Sequence, residues 1–542
     1  MRQDPFVWFA GATVALAAFL TAAPVQQALS AENNTQAAGP LRIGWASVDI
    51  TPDRPVNLRG YFHARVSEGV LDPLTATALA LESVRGGALQ DCAVMVSIDL
   101  ISVGHALRDS VRQRVRKELP DLEPTKVFLN ATHTHLAPSF GPRSPEEVAV
   151  AQQFAHGVTQ QWAMHGIDLD AMPETEYCEY AAERIARAVV EAWKARKPGK
   201  VAFGLGHAVV GRNRLTAYDD GSSSMYGKTD RSEFSHVEGY EDHAVNLLYT
   251  WDADGKLTGV MVNLACPSQA AGGYQISADF WHDTRLELRK RLGEGLFVLP
   301  QCSAAGDQSP RALVGLKAEA RMDRLTGRSR RQEIAVRIAD AVTSTLPAVE
   351  KQAESNPEFA HRVEQVELSR RLISEKDVAD GLSEAERWRE RYENLRRKID
   401  KDPEIRKKPH WYSEVTDAFT RLMRGVRVKR RFELQQAQPK LPFEVHVLRI
   451  GDMAIATNPF ELYLDYGMQI KARSKAVQTF VVQLVGNGTY LPTQRSIQGG
   501  AYGAVPASTE IGPEGGRELV DKTLELIQSL WAAEVSPPNP AH

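Results

Sequence analysis

Asn130-Ala131-Thr132-His133-Thr134-His135-Leu136-Ala137-Pro138 is the stretch on which the reading of this chain turns. Just before it, Lys126-Val127-Phe128-Leu129 is mostly apolar and predicts a short buried strand. The strand runs into a loop carrying two histidines two residues apart. In extended backbone, residues i and i+2 project to the same side, so His133 and His135 can face one pocket. Pro138 keeps the strand from continuing. Imidazoles at a strand end are a common way to hold a divalent metal. Two plain polar loop histidines would look the same, and the rest of the chain has to decide.

Upstream, Cys92-Ala93-Val94-Met95-Val96-Ser97-Ile98-Asp99 is nearly all apolar, as a strand covered on both faces should be. An amphipathic helix follows over 105–119, then the strand into the histidines. Strand, helix, strand is the parallel crossover pattern. Further strands are expected at 41–46, leading to Asp49-Ile50-Thr51-Pro52, and at 74–81. A hairpin is expected at 245–251 and 257–264 around Asp252-Ala253-Asp254-Gly255. Later strands are placed at 296–299, 443–450 and 453–456. Helices are placed within 146–197 and at 284–292, 328–346 and 517–533. The fold class is α/β: layered mixed sheets with helices, with the active site in loops at strand ends.

The chain has 542 residues and a formal net charge of -3. That length supports a large core, and the near-neutral balance gives no reason to expect nucleic acid as a partner. Arg2 precedes an apolar run over 6–23, and Ala28-Leu29-Ser30-Ala31 offers small residues for cleavage. Residues 1–31 read as a secretory signal peptide, with an uncleaved membrane anchor as the alternative, so the protein is expected to be exported. Cys92, Cys178, Cys266 and Cys302 show no CxxC pairing, which argues against a cysteine-rich zinc site. Residues 41–350 read as a catalytic region, 356–436 as a charged helical insertion and 437–535 as the C-terminal part of the catalytic region. The insertion holds runs such as Glu384-Ala385-Glu386-Arg387-Trp388-Arg389-Glu390-Arg391, which suit long solvated helices or a partner-binding arm.

Four further places can carry chemistry. Asp279 and His282, in Ser277-Ala278-Asp279-Phe280-Trp281-His282, can reach a site at the head of a helix, although an acid there is also a plain helix-start charge. Gly306-Asp307-Gln308-Ser309-Pro310 follows a buried strand. Its small residues would let backbone amides approach a ligand, and Ser309 can bind substrate or act as a nucleophile. Glu461 in Pro459-Phe460-Glu461 and Tyr490 in Tyr490-Leu491-Pro492-Thr493 each follow an apolar strand. In a layered fold such loops can cluster at one end of a sheet.

These pieces, in this order, resemble the neutral/alkaline (non-lysosomal) ceramidase family in its N-terminal catalytic domain. Asp49-Ile50-Thr51-Pro52, Thr132-His133-Thr134-His135 and Ser277-Ala278-Asp279 carry the resemblance, together with Gly306-Asp307-Gln308-Ser309-Pro310, Pro459-Phe460-Glu461 and Tyr490-Leu491-Pro492-Thr493. It spans about 41–533 and is patchy between motifs. It implies a zinc-dependent hydrolase of amide or ester bonds, ceramidase-like, acting on a small-molecule or lipid substrate such as an N-acyl lipid, and it allows peripheral membrane contact. Family zinc ligands map onto His133, Glu461 and Tyr490. His135 matches an acid/base or substrate contact, and Ser309 a serine important for activity. Where the family has its second zinc histidine, this chain has Ala265-Cys266-Pro267-Ser268. Cys266, Asp279 or His282 is then a candidate replacement ligand. Loss of the metal would instead leave a ligand-binding protein without catalysis. An interaction protein acting through the charged helices is the reading from a third class.

Overall fold

The computed structural model describes residues 39–141 and 144–531, so the signal-like segment lies outside the described residues. An eight-stranded sheet runs in the order Phe297–Cys302, Leu257–Leu264, Ala244–Asp252, Lys197–His207, Arg42–Asp49, Thr75–Arg85, Ala88–Ile98, Val127–Ala131. Its centre is antiparallel, and each edge ends in a parallel pair. A four-stranded sheet follows the order Phe359–Ser369, Lys440–Ile450, Met453–Thr457, Gln478–Val482, and its last two strands are parallel.

The two sheets face each other. Met95, Phe128, Leu248 and Leu299 of the first pack with Leu448, Ile455, Phe480 and Val482 of the second. The strand Ala88–Ile98 shows how the sequence dictates this. Ala93 and Met95 point between the sheets, while Val94, Val96 and Ile98 point outward and pack under helices His105–Glu118 and Glu174–Lys194. From Cys92 on both faces are dry, so that part of the strand reads as a nearly continuous apolar run. Helices Phe280–Leu292 and Arg330–Val349 cover the other half of that outer face. Leu464–Arg473 and Pro513–Ser529 cover the outer face of the smaller sheet. The architecture is four layers, helix on sheet on sheet on helix.

The stretch 356–436 is not helical throughout. It opens with the strand Phe359–Ser369, which forms one edge of the smaller sheet, before helices Glu375–Lys401 and Ser413–Ala437. Arg362, Glu364 and Glu367 are exposed there while His361, Val366 and Leu368 are buried, so only one face of this edge strand carries a core signal. No helix among the described residues is long and apolar enough to cross a membrane.

Candidate functional site

Two parallel strand pairs, Ala88–Ile98 with Val127–Ala131 and Met453–Thr457 with Gln478–Val482, send the loops that follow them to one cavity. His133 follows Val127–Ala131, Glu461 follows Met453–Thr457, and Tyr490 follows Gln478–Val482. Loops beyond the carboxyl ends of parallel strands are where α/β folds build sites. A cavity of about 750 Å³ opens among them, lined by His133, His135, Glu461, Tyr490 and Arg214 together with apolar and aromatic side chains.

His133 does not share the extended backbone that the i, i+2 spacing presumes. Its φ is 65°, a left-handed conformation that costs a non-glycine residue on the order of 1 kcal/mol. The turn lets its Nδ1–H donate to the Ile101 carbonyl at 2.6 Å while its amide donates to the Leu100 carbonyl at 3.0 Å. The ring is thereby oriented, and Nε2 faces Glu461 Oε2 at 3.4 Å. With Nδ1 carrying the proton, two acceptors face each other, an arrangement that calls for a cation between them, either a shared proton or a metal.

Glu461 and Tyr490 are joined by a parallel bridge, Glu461 opposite Tyr490 and Leu462 opposite Leu491. Burial alone would raise the Glu461 carboxyl. The charge and bond of His133, the charge of Arg214 and a bond from Tyr490 outweigh it, so the group is held below the usual carboxylate range. Burial, then the Glu461 charge, push the Tyr490 phenol well above its usual value, so it keeps its proton. Gly306 permits the close approach of the neighbouring loop, since a Cβ there would lie 2.3 Å from the Glu461 carbonyl oxygen.

His135 lines the same cavity, its ring 5.0 Å from that of His133 and nearly perpendicular to it. Gly60, at φ 109°, makes room for it: a Cβ at Gly60 would lie 2.3 Å from His135 Nδ1. The Gln269 amide nitrogen sits 2.8 Å from His135 Nε2, and its oxygen accepts from Arg214 Nη1 at 3.2 Å. Burial above all, with the nearby charges of Arg214 and Arg65, holds the His135 ring well below the usual histidine range and therefore neutral.

Arg214 is the central feature that the sequence reading missed. Its guanidinium donates to the Gly306 carbonyl at 2.7 Å, to Tyr490 at 3.3 Å and to Tyr226 at 3.2 Å, and lies 3.8 Å from Glu461 Oε2. Its backbone amide donates to the Asp307 carbonyl, and the neighbouring Asn213 donates to the Asp307 carboxylate at 3.0 Å. A lone arginine between the short strands Arg212–Asn213 and Leu215–Tyr218 carries no sequence pattern that marks it as buried.

The other sequence candidates lie elsewhere. Asp279 caps the helix Phe280–Leu292, and its carboxylate accepts the amides of Phe280, Ala270 and Ala271. His282 lies half-buried on that helix and does not line the cavity. The Cys266 thiol is buried and turned toward the Pro267 carbonyl, and burial raises it well above the usual thiol range, which disfavours a thiolate ligand. Ser309 Oγ accepts from the Tyr226 hydroxyl at 3.2 Å and from the Arg311 amide at 3.1 Å, so it touches the cavity wall through Tyr226.

A metal is therefore left with one imidazole nitrogen, one carboxylate and one phenol oxygen, from His133, Glu461 and Tyr490. These suit zinc in type and number for a site with open positions, with one imidazole fewer than the family resemblance implies. Among the described residues no group of three His, Cys, Asp or Glu side chains could by itself hold a metal.

No protein-family model and no curated protein matches the sequence. Solved structures do. One is a ceramidase in complex with C2, at 16% identity and TM-score 0.62, covering 93% of this chain and 77% of that one. Another is the neutral ceramidase of Pseudomonas aeruginosa, at 17% identity and TM-score 0.60 with the same coverages. The chain has the fold of these ceramidases.

Proposed function

We propose that the protein is an exported, ceramidase-like hydrolase of amide or ester bonds in an N-acyl lipid or related acyl compound, with zinc held by His133, Glu461 and Tyr490. The convergence of these three side chains with Arg214 in one cavity, at the strand ends of a ceramidase fold, carries this reading. When bound, zinc supplies positive charge that polarises a carbonyl and acidifies water.

The protein's own groups divide the remaining work. Arg214, anchored on Gly306, places positive charge beside the oxygen on which charge develops as water adds to the carbonyl carbon, and Tyr490, bonded to Glu461, holds the carboxylate in place. His135, neutral and oriented by Gln269, accepts the proton that the attacking water loses and returns it to the leaving nitrogen or oxygen as the acyl bond breaks. Its depressed basicity makes the imidazolium a ready donor in the second step. Tyr226 ties Ser309 to Arg214, which gives Ser309 a positioning role.

The test is direct. Purified protein loaded with zinc should release fatty acid from an N-acyl substrate, and Glu461→Gln should abolish release. Absence of zinc binding together with absence of activity would sink the reading. One observation favours a second reading, metal-free ligand binding: Arg214 already places a cation beside the Glu461 carboxylate. Ligand binding with no zinc uptake would select it.

A further inference from the structure

Where the edge of the smaller sheet meets the larger one, two histidines lie in the core between them. His361 is on the strand Phe359–Ser369 and His446 on its neighbour Lys440–Ile450, where it stands opposite Val363. Diagonal positions on paired strands bring long side chains within reach of each other. The two residues are 3% and 0% exposed. Phe128 of the larger sheet packs on both, its ring centre 4.7 Å from that of His446 and 5.9 Å from that of His361.

The pair belongs to one chain of contacts. His361 Nδ1 lies 3.0 Å from the Cys92 carbonyl oxygen, His361 Nε2 lies 3.1 Å from His446 Nδ1, and His446 Nε2 lies 3.1 Å from Glu444 Oε1. Both ends of the chain only accept. A carbonyl has no proton to give, and Arg112 donates to both Glu444 oxygens, at 2.8 and 3.0 Å. Burial opposes the Glu444 charge, but the bond from His446 and the bonds and charge of Arg112 outweigh it and hold the carboxyl well below its usual range. Three contacts need three protons, and two neutral imidazoles bring one each. With both rings neutral, one contact sets lone pair against lone pair. A third proton completes the chain and gives the pair one positive charge.

The surroundings resist that charge. Burial is the largest influence on both rings. The charges of His446, Lys126 and Arg112 add to it at His361, and those of Arg112 and Arg108 at His446, where Glu444 works the other way. Both rings are thereby held below the usual histidine range. Lys126 donates to the His361 carbonyl at 2.7 Å and to Asp91 at 2.6 Å, and Asp91 accepts the His361 amide at 2.7 Å, so these two charges answer each other. His105, on the helix of Arg108 and Arg112, feels the Glu444 charge but is held low by burial and by Arg108. The Cys92 thiol, raised to about 11 by burial and the Asp91 charge, stays neutral.

We propose that His361 and His446 are a pH sensor in the seam between the two sheets: the pair stays uncharged at neutral pH, takes up one shared proton in mild acid, and makes the docking of the sheets acid-sensitive. The proposal does not depend on the hydrolase reading, yet the seam carries the candidate site. Lys440–Ile450 pairs with Met453–Thr457, which leads to Glu461, and Phe128 lies in the strand that leads to His133. In the unfolded chain each histidine takes its own proton near about pH 6.5, whereas the folded pair takes one, at lower pH. The unfolded state then holds more protons below about pH 6.5. The contribution to stability is full above that value and is lost as pH falls.

Titration of the histidine ring signals by NMR on the full protein reads the sensor, with the two rings assigned through their contacts to the Phe128 ring. Both should move together in a single one-proton transition, below about pH 6.5 and above about pH 4. Glu444→Gln removes the carboxylate that favours the charge and should lower the midpoint by about one unit. Urea unfolding gives a second readout. The ratio of unfolding constants between wild type and His361→Gln/His446→Gln should change about tenfold or more between about pH 7 and pH 5, whatever the variant's absolute stability. Two separate transitions near pH 6.5, a ring already charged at pH 7, no proton uptake above pH 4, or a ratio that does not move with pH would overturn the proposal. If the double variant does not fold, the wild-type titration decides.

Discussion

Glu461 and Tyr490 are register partners in a two-residue parallel bridge, so the carboxylate and the phenol are fixed side by side by backbone pairing. The bridge sets both donors relative to one another, and His133 reaches the same carboxylate from the other sheet. Zinc uptake should therefore need all three. His133→Ala and Tyr490→Phe are each expected to lower bound zinc from about one ion per chain to a small fraction of that. Metal analysis after dialysis checks this; full occupancy in either variant would count against the assignment.

Arg214 should matter through its fork as well as its charge. It donates at once to Gly306, Tyr490 and Tyr226. Arg214→Gln is expected to lower kcat by roughly a hundredfold or more, as loss of a preorganised donor does. Arg214→Lys should recover only a small part, because lysine cannot span these acceptors. Comparing kcat and KM for the two variants decides. Full activity in the lysine variant would show that charge alone suffices.

Gly60→Ala tests the seat of His135. The added Cβ would lie 2.3 Å from the ring, at a φ of 109° that alanine disfavours. The expected cost is about 1–3 kcal/mol of stability with a larger loss of activity, because the ring must move. Thermal unfolding and turnover are measured together; an unchanged pair of values would refute the close contact.

Asp307 gives a pH signature. Burial raises its carboxyl from 3.8 to about 6, even though it accepts from the Leu464 amide and from Asn213. The folded value lies above the unfolded one, so this group's favourable contribution is full below about pH 4 and is lost as pH rises through 6. The shift corresponds to on the order of 3 kcal/mol. The stability difference between wild type and Asp307→Asn should therefore change between pH 4 and pH 7, whatever the variant's absolute stability. Urea unfolding at several pH values reads it; a flat difference would remove Asp307 as the source.

The fold was legible where both faces of a strand are buried. The stretch 92–98 and the strand Val127–Ala131 show it as mostly apolar runs, and the crossover helix between them shows its own amphipathic period. The smaller sheet's edge was hidden, because Phe359–Ser369 has one wet face and sits beside a long charged run. In the site, residues at strand ends could be singled out since chemistry-bearing side chains there stand out against apolar neighbours. Arg214, Gln269 and Gly60 could not. Each acts through a partner distant in sequence, and a buried guanidinium, a bridging amide and a missing Cβ leave no local pattern. Cys266 and Asp279 show the opposite failure. They are suitable donor types in a suggestive order, yet one thiol faces a carbonyl and the carboxylate is used by three backbone amides.

His133 comes from the end of the eight-stranded sheet, whereas Glu461 and Tyr490 come from loops of the four-stranded one. Neither sheet alone holds the donor set. The site is a product of long-range docking, the late and slow part of folding a chain of high contact order. Catalytic competence should thus appear only in the last kinetic phase of refolding, after most of the secondary structure has formed.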